Sequence, residues 1–235
     1  METVGFISLT VLLGRVLGLI LGFTLHEYAH AASAVRLGGR SALADQSRLT
    51  LDPRYHMDPL GIILAIVAGF GWARPVPVNP IALYPNERRN MTIVAFAGPL
   101  TNLILGVVFA IILRLMEITS LTETFAFNGK TYAAGSNDVT DFIFEVIATA
   151  AIFNILLFFF NLLPFFPLDG WRVLLGLLPN DRSYQLAQYQ QESMYVLFFL
   201  ILIGFAPGLP SPIFFILSPL IDTTFEFLTG FTYAL

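Results

Sequence analysis

The chain has no cysteine, and charged residues make up only 12% of its 235 positions. Without cysteine, both disulfides and thiolate metal ligands are excluded. A soluble domain carries about twice that share of charge. A chain of this size has too much surface to cover with so few charges, so a soluble enzyme is excluded. A nucleic-acid binder is excluded too, because the formal net charge is −4 and there is no basic run. Internal repeats and low-complexity tails are also missing. Lysine is nearly absent: Lys130 is the only one among twelve basic residues, and nothing in the sequence explains this. Apolar residues are abundant, at 56%, with a mean hydropathy of +0.76. In a chain of one-domain length, that composition implies several helices spanning a lipid bilayer. The opening Met1-Glu2-Thr3 lacks the basic segment of a signal peptide, so the first apolar stretch is expected to be retained.

Hydropathy sets the organisation. The first apolar stretch runs from Val4 to about Val35, interrupted by Arg15 and by His26-Glu27-Tyr28-Ala29-His30. Residues 36–58 are polar, and the alternation Arg48-Leu49-Thr50-Leu51 suggests a short strand. Leu60 to Trp72 is apolar but only about 20 Å long as a helix, against a hydrocarbon core of roughly 30 Å. Arg74 to Pro80 must be extended, since proline disfavours helix in the residue before it. Met91–Leu113 and Val139–Leu163 read as further spans, the latter followed by the proline-broken turn 163–170. Met194–Ala206 and Ile213–Leu228 read as two spans or one interrupted span. The expectation is an all-α integral membrane protein: a polytopic bundle of about 4–6 transmembrane segments with a re-entrant or membrane-associated loop and short strands. It forms a single domain over 1–235, with its core at about 4–180 and C-terminal apolar segments at about 193–235.

The arginines orient this bundle. Segment 36–56 holds Arg36, Arg40, Arg48 and Arg54, and segment 73–90 holds Arg74, Arg88 and Arg89. Segment 117–138 holds one lysine against Glu117, Glu123 and Asp138. The positive-inside rule puts the first two in the cytoplasm and the third outside. Leu60–Trp72 must then enter and leave on one face, as re-entrant segments do where protein buries them.

The chemistry-bearing pattern is His26-Glu27-x-x-His30. Histidines four apart share one helix face, so both imidazoles can reach one ion, and the glutamate between them can act on a metal-bound water. The plainer reading makes the histidines interhelical partners with Glu27 as counter-charge. In a membrane helix an uncompensated carboxylate is costly and usually marks function. Gly14, Gly18, Gly22, His26 and His30 lie four apart, so the histidines continue a close-packed row that faces protein. Arg15, beside it, has no assigned role.

A catalytic zinc needs a third protein ligand and an open position. The candidates are a carboxylate or His56. Asp141 and Glu145 sit at the far end of the third span, whereas the histidines lie about 9 Å from the Arg36 end of theirs. Asp169, behind two prolines, is the carboxylate within reach. As a favoured cap residue it could equally cap a helix over 170–178, and spacing alone leaves those two readings level.

Three stretches in order carry a resemblance: His26-Glu27-x-x-His30, Ala97-Gly98-Pro99-Leu100-Thr101-Asn102, and Asn161-Leu162-Leu163-Pro164-x-x-Pro167-Leu168-Asp169-Gly170. With Asp58-Pro59-Leu60-Gly61 and Gly71 to Pro80, they resemble the site-2 protease family. These are intramembrane zinc metalloproteases of the M50 type, here in the compact bacterial branch without a PDZ domain. The resemblance covers roughly residues 20–180. It implies one Zn2+ per chain on His26, His30 and Asp169, with Glu27 as general base. Asn161 is then similar to a group thought to hold the substrate backbone or the oxyanion, or it serves as an interhelical hydrogen bond. The implied substrate is a transmembrane helix of another membrane protein. The implied location is the cell membrane, as a multi-pass protein with its active site toward the cytoplasm. Asn102 and Asn154 are assigned to helix packing, and His56 to tethering its loop ahead of an approach to the zinc. The alternative from another class is a transporter or channel with a His/Asp metal site, which would want more acidic residues along one path than Glu27 alone.

Overall fold

The computed structural model describes residues 9–68, 71–118, 122–127, 130–135, 138–206 and 209–230; the expectation about Met1–Thr3 lies outside them. In chain order the elements are α1 (Leu9–Gly38), α2 (Pro59–Ala68), α3 (Glu87–Ile118), β1 (Thr122–Phe127), β2 (Lys130–Gly135), α4 (Asp138–Asn161), α5 (Asp169–Leu177), α6 (Asn180–Ala187), α7 (Gln190–Ile203) and α8 (Pro212–Thr229). Among the described residues, α1, α3, α4 and α8 are long and apolar enough to cross a membrane. The protein is a multi-pass helical membrane protein.

Small residues set the helix directions. In lipid, helices associate by close packing, which glycine permits. A Cβ on Gly14 would lie 2.5 Å from Thr149, one on Gly18 3.2 Å from Ala150, and one on Gly22 2.9 Å from Asn154. The two sets of numbers rise together, so α1 and α4 run parallel. Along α3 the order reverses. Gly106 packs on Ile155, Asn102 bonds Gly22 and Asn154, and Gly98 packs on His26 and His30. Helix α3 is therefore antiparallel to both, and residues 39–86 begin and end at the same end of the bundle, the one that carries the histidines.

Within that connection, Asp58 accepts the Leu60 and Gly61 amides and so caps α2, with Pro59 at the first helical position. The ten-residue α2 is about 15 Å long. The chain then comes back: Met57 pairs with Ala73 in an isolated antiparallel bridge, and Arg74 N–H donates to the His56 carbonyl at 2.7 Å. Leu43 pairs with Val78 in a second bridge. The strand expected at 48–51 is not formed. Gln46–Arg48 is a 3-10 turn, because the Asp45 side chain accepts the Ser47 amide and closes the chain locally.

Between α3 and α4, β1 and β2 form an antiparallel hairpin with Phe127 opposite Lys130. After α4, the Phe166 amide donates to Ser193 on α7, at the histidine end. Gly230, just beyond α8, lies near Arg114 on the far part of α3. Helix α8 is by itself long and apolar enough to cross, whereas the 14-residue α7 before it is shorter. The apolar core joins α3, α4 and α8 through Leu113, Phe144, Ile155, Leu217, Ile221 and Phe225.

Candidate metal centre

His26 and His30 lie twelve and eight residues before the end of α1, about 18 and 12 Å along its axis. Both are buried against α3, and the intervening Glu27 is buried too. Their Nε2 atoms are 3.0 Å apart, and Asp169 Oδ2 lies 3.1 Å from the first and 3.2 Å from the second. Among the described residues these three form a group able to hold a metal ion.

The hydrogen-bond partners fix the imidazole tautomers. His30 Nδ1 lies 2.7 Å from the Val94 carbonyl, which can only accept, so Nδ1 carries the hydrogen. His26 Nδ1 lies 2.6 Å from Asn102 Oδ1. The Asn102 amide nitrogen is committed to the Gly22 carbonyl and to Asn154 Oδ1, both at 3.2 Å, so its oxygen faces His26. With both Nδ1 atoms protonated, the two Nε2 atoms present bare lone pairs. A carboxylate oxygen makes a third. Three lone pairs packed 3.0–3.2 Å apart repel one another unless a cation sits among them. Ligands at about 2.0–2.1 Å from a tetrahedral zinc lie roughly 3.3 Å from each other, close to the spacing found. The donor set fits zinc.

The surroundings leave this geometry little freedom. A Cβ on Gly98 would lie 2.4 Å from His30 Nε2 and 2.7 Å from His26 Cε1, so α3 presses its backbone onto the rings. Asp169 is the first residue of α5. Leu168 occupies the cap position, and no side chain caps the helix, which removes the cap reading for Asp169. A Cβ on Gly170 would lie 2.3 Å from the Leu162 carbonyl oxygen, so glycine lets α5 start directly on the turn after α4. Arg88 on α3 donates to the Leu175 carbonyl near the other end of α5, at 3.1 Å from Nε and 2.7 Å from Nη2.

The other sequence candidates are placed as follows. Asn161, the last residue of α4, donates one amide hydrogen to the Leu157 carbonyl at 2.9 Å. His56 is fully buried, with Nε2 bonded to the Thr50 carbonyl at 2.7 Å, the tethering reading. Asp141 lies twenty residues before Asn161 on α4, about 30 Å along the helix, at the end away from the histidines. Asn102 and Asn154 go beyond packing. Asn154 donates to the Gly18 and Ala150 carbonyls and accepts from Asn102, so a buried amide relay across three helices ends on the His26 ring. The sequence signal for this was Asn102's place four residues after Gly98, on the packed face.

A histidine pair on an apolar helix, a glutamate between them and a carboxylate brought in from a later helix define the class of membrane-embedded zinc metallopeptidases. The chain belongs to peptidase family M50, whose profile matches residues 14–205. It is 41% identical over 187 residues to a Bacillus subtilis protein named "Putative zinc metalloprotease YwhC", covering 80% of this chain and 78% of that one. It is 27% identical over 195 residues to Rip2 of Mycobacterium tuberculosis H37Rv, which carries the same designation. That match covers 82% of this chain and 66% of Rip2. No solved structure matches. The protein is a metalloprotease, and its metal is zinc.

Proposed function

We propose that the protein is an intramembrane endopeptidase that cleaves transmembrane segments of other membrane proteins. The observation that carries this reading is the burial of His26, Glu27 and His30 inside α1, a helix that crosses the membrane by length and composition. A peptide bond reaching them must come from within the bilayer or from its edge.

His26, His30 and Asp169 would hold one zinc, which when bound would supply Lewis acidity at the site. Glu27 takes the proton from the water as it attacks and passes it to the departing amine. The Asn102 relay and the Val94 carbonyl keep the imidazoles turned inward. Asn161 has a second amide hydrogen that can reach substrate from the end of α4. A substrate helix keeps its carbonyls in its own hydrogen bonds and must unwind locally before it can react.

The site faces the cytoplasm, and residues 57–73, with α2 between them, form a re-entrant segment. Two facts support this: the Met57–Ala73 bridge, and the clustering of Arg36, Arg40, Arg74, Arg88 and Arg89 at the histidine end. Single cysteines at Asn86 and Lys130, in a chain with none of its own, should be labelled by an impermeant reagent from opposite sides. Outside labelling at position 86 would contradict the assignment.

The activity itself is tested with purified protein in liposomes, a reporter membrane helix and a soluble peptide. Cleavage of the reporter helix by wild type and not by Glu27→Gln supports the reading. Cleavage confined to the soluble peptide would overturn it.

A further inference from the structure

Among the described residues, Glu27 has one hydrogen bond from outside its own helix, and that bond comes from backbone. The Val76 N–H donates to Oε2 at 2.9 Å, and both residues are buried. Val76 stands between Pro75 and Pro77, neither of which has an N–H. Across these three residues there is a single backbone donor, and it meets the carboxylate. The prolines also fix φ on either side and hold Val76 extended. This short strap is fastened at both ends. Arg74 N–H donates to the His56 carbonyl at 2.7 Å, while the His56 ring is itself tied to the Thr50 carbonyl. On the other side, Ala44 N–H donates to the Pro77 carbonyl and Asn79 N–H to the Ala42 carbonyl, at 3.1 and 2.8 Å.

We propose that the strap Arg74–Asn79 positions the catalytic base: the Val76 amide immobilises one carboxylate oxygen of Glu27 and leaves the other to receive the proton. This rests on Glu27 being the base. A carboxylate on a helix can otherwise swing about its side-chain torsions. A hydrogen bond from a neutral amide to an ionised acceptor is among the stronger kinds, and here the strap's anchors keep the donor still. The same arrangement gives His56 its part. It acts at a distance, through Arg74, as one of the fixings of the strap.

The test separates the donor from the side chain. Val76→Pro removes the N–H but sets its Cδ where that hydrogen pointed, so Glu27 Oε2 must also move away, whereas Val76→Ala keeps the N–H and trims the buried side chain. Replacing the Val76 amide by an ester, using the corresponding hydroxy acid, removes the N–H alone. For Val76→Pro and the ester, kcat on the reporter helix should fall by about 10- to 100-fold, the worth of a hydrogen bond to a charged group. In the ester variant KM, zinc content and melting temperature should stay at wild-type values. Val76→Ala should keep kcat within about twofold, given the donor's retention. If Val76→Pro fails to fold, the ester variant decides. Wild-type kcat in the ester variant, with Glu27→Gln inactive, would overturn the positioning role and leave the base assignment standing. An equal fall in Val76→Ala would also overturn it, by assigning the effect to packing.

Discussion

Glu27→Gln is expected to keep its fold and its zinc and to lose cleavage of the reporter helix by roughly 10²–10⁴-fold, the usual contribution of a positioned general base. The substitution is nearly isosteric. It leaves an oxygen that can still accept the Val76 N–H, so the strap should stay in place. The three ligand atoms are on other residues, which is why the metal should remain. The amide cannot take a proton from water at neutral pH, so the loss should appear in kcat. Zinc per chain by elemental analysis, beside kcat and KM, checks each part. Activity within tenfold of wild type would remove Glu27 from the mechanism. Loss of zinc would mean that Glu27 sits among the ligands.

Asp169→Ala is expected to lose zinc as well as activity. Substituting an outer-shell partner of a metal ligand typically costs about 10–100-fold in affinity, so removing one of three protein ligands should cost more. The backbone should tolerate the change, because Asp169 neither caps α5 nor pairs with an arginine or lysine among the described contacts. The start of α5 is held instead by Gly170 on the turn at Leu162, and its far end by Arg88. Equilibrium dialysis against zinc, with circular dichroism as the control for helix content, measures this. Full zinc retention would contradict the ligand assignment. It would point to His56, whose ring would have to leave the Thr50 carbonyl to serve.

The sequence made the candidate metal ligands legible because their chemistry is written in side chains. Two histidines four apart declare one face, and Asp169, behind the prolines after the next long span, was the carboxylate within reach of it. Gly14, Gly18 and Gly22 meet α4 in rising order, so α1 and α4 run parallel and the end of α4 lies near the histidines. The cap reading of Asp169 was equally legible and is not what forms, because the cap position falls one residue earlier.

Other features depend on partners that leave no signature in the sequence. The Val76 N–H is a backbone group, and only its neighbours Pro75 and Pro77 hint that a lone donor is being presented. Asn102 looks like any buried amide until α3 is docked and its oxygen lands on His26. The strand expected at 48–51 had the right alternation, but the Asp45–Ser47 turn just before it closes the chain more cheaply than a strand without a neighbour can. The hairpin at 122–135 was missed for the opposite reason. Its polar setting read as an outside loop, although Asn128-Gly129 between the two runs is a strong hairpin signal.

The central claim is that two imidazoles and one carboxylate hold a single zinc within the bundle. X-ray absorption fine structure at the zinc edge of purified wild-type protein tests it most directly, because imidazole rings scatter in a way that lets them be counted. The account predicts stoichiometric zinc with a nitrogen and oxygen shell at about 2.0–2.1 Å and two imidazoles. Three imidazoles, or protein that binds no stoichiometric zinc, would contradict it.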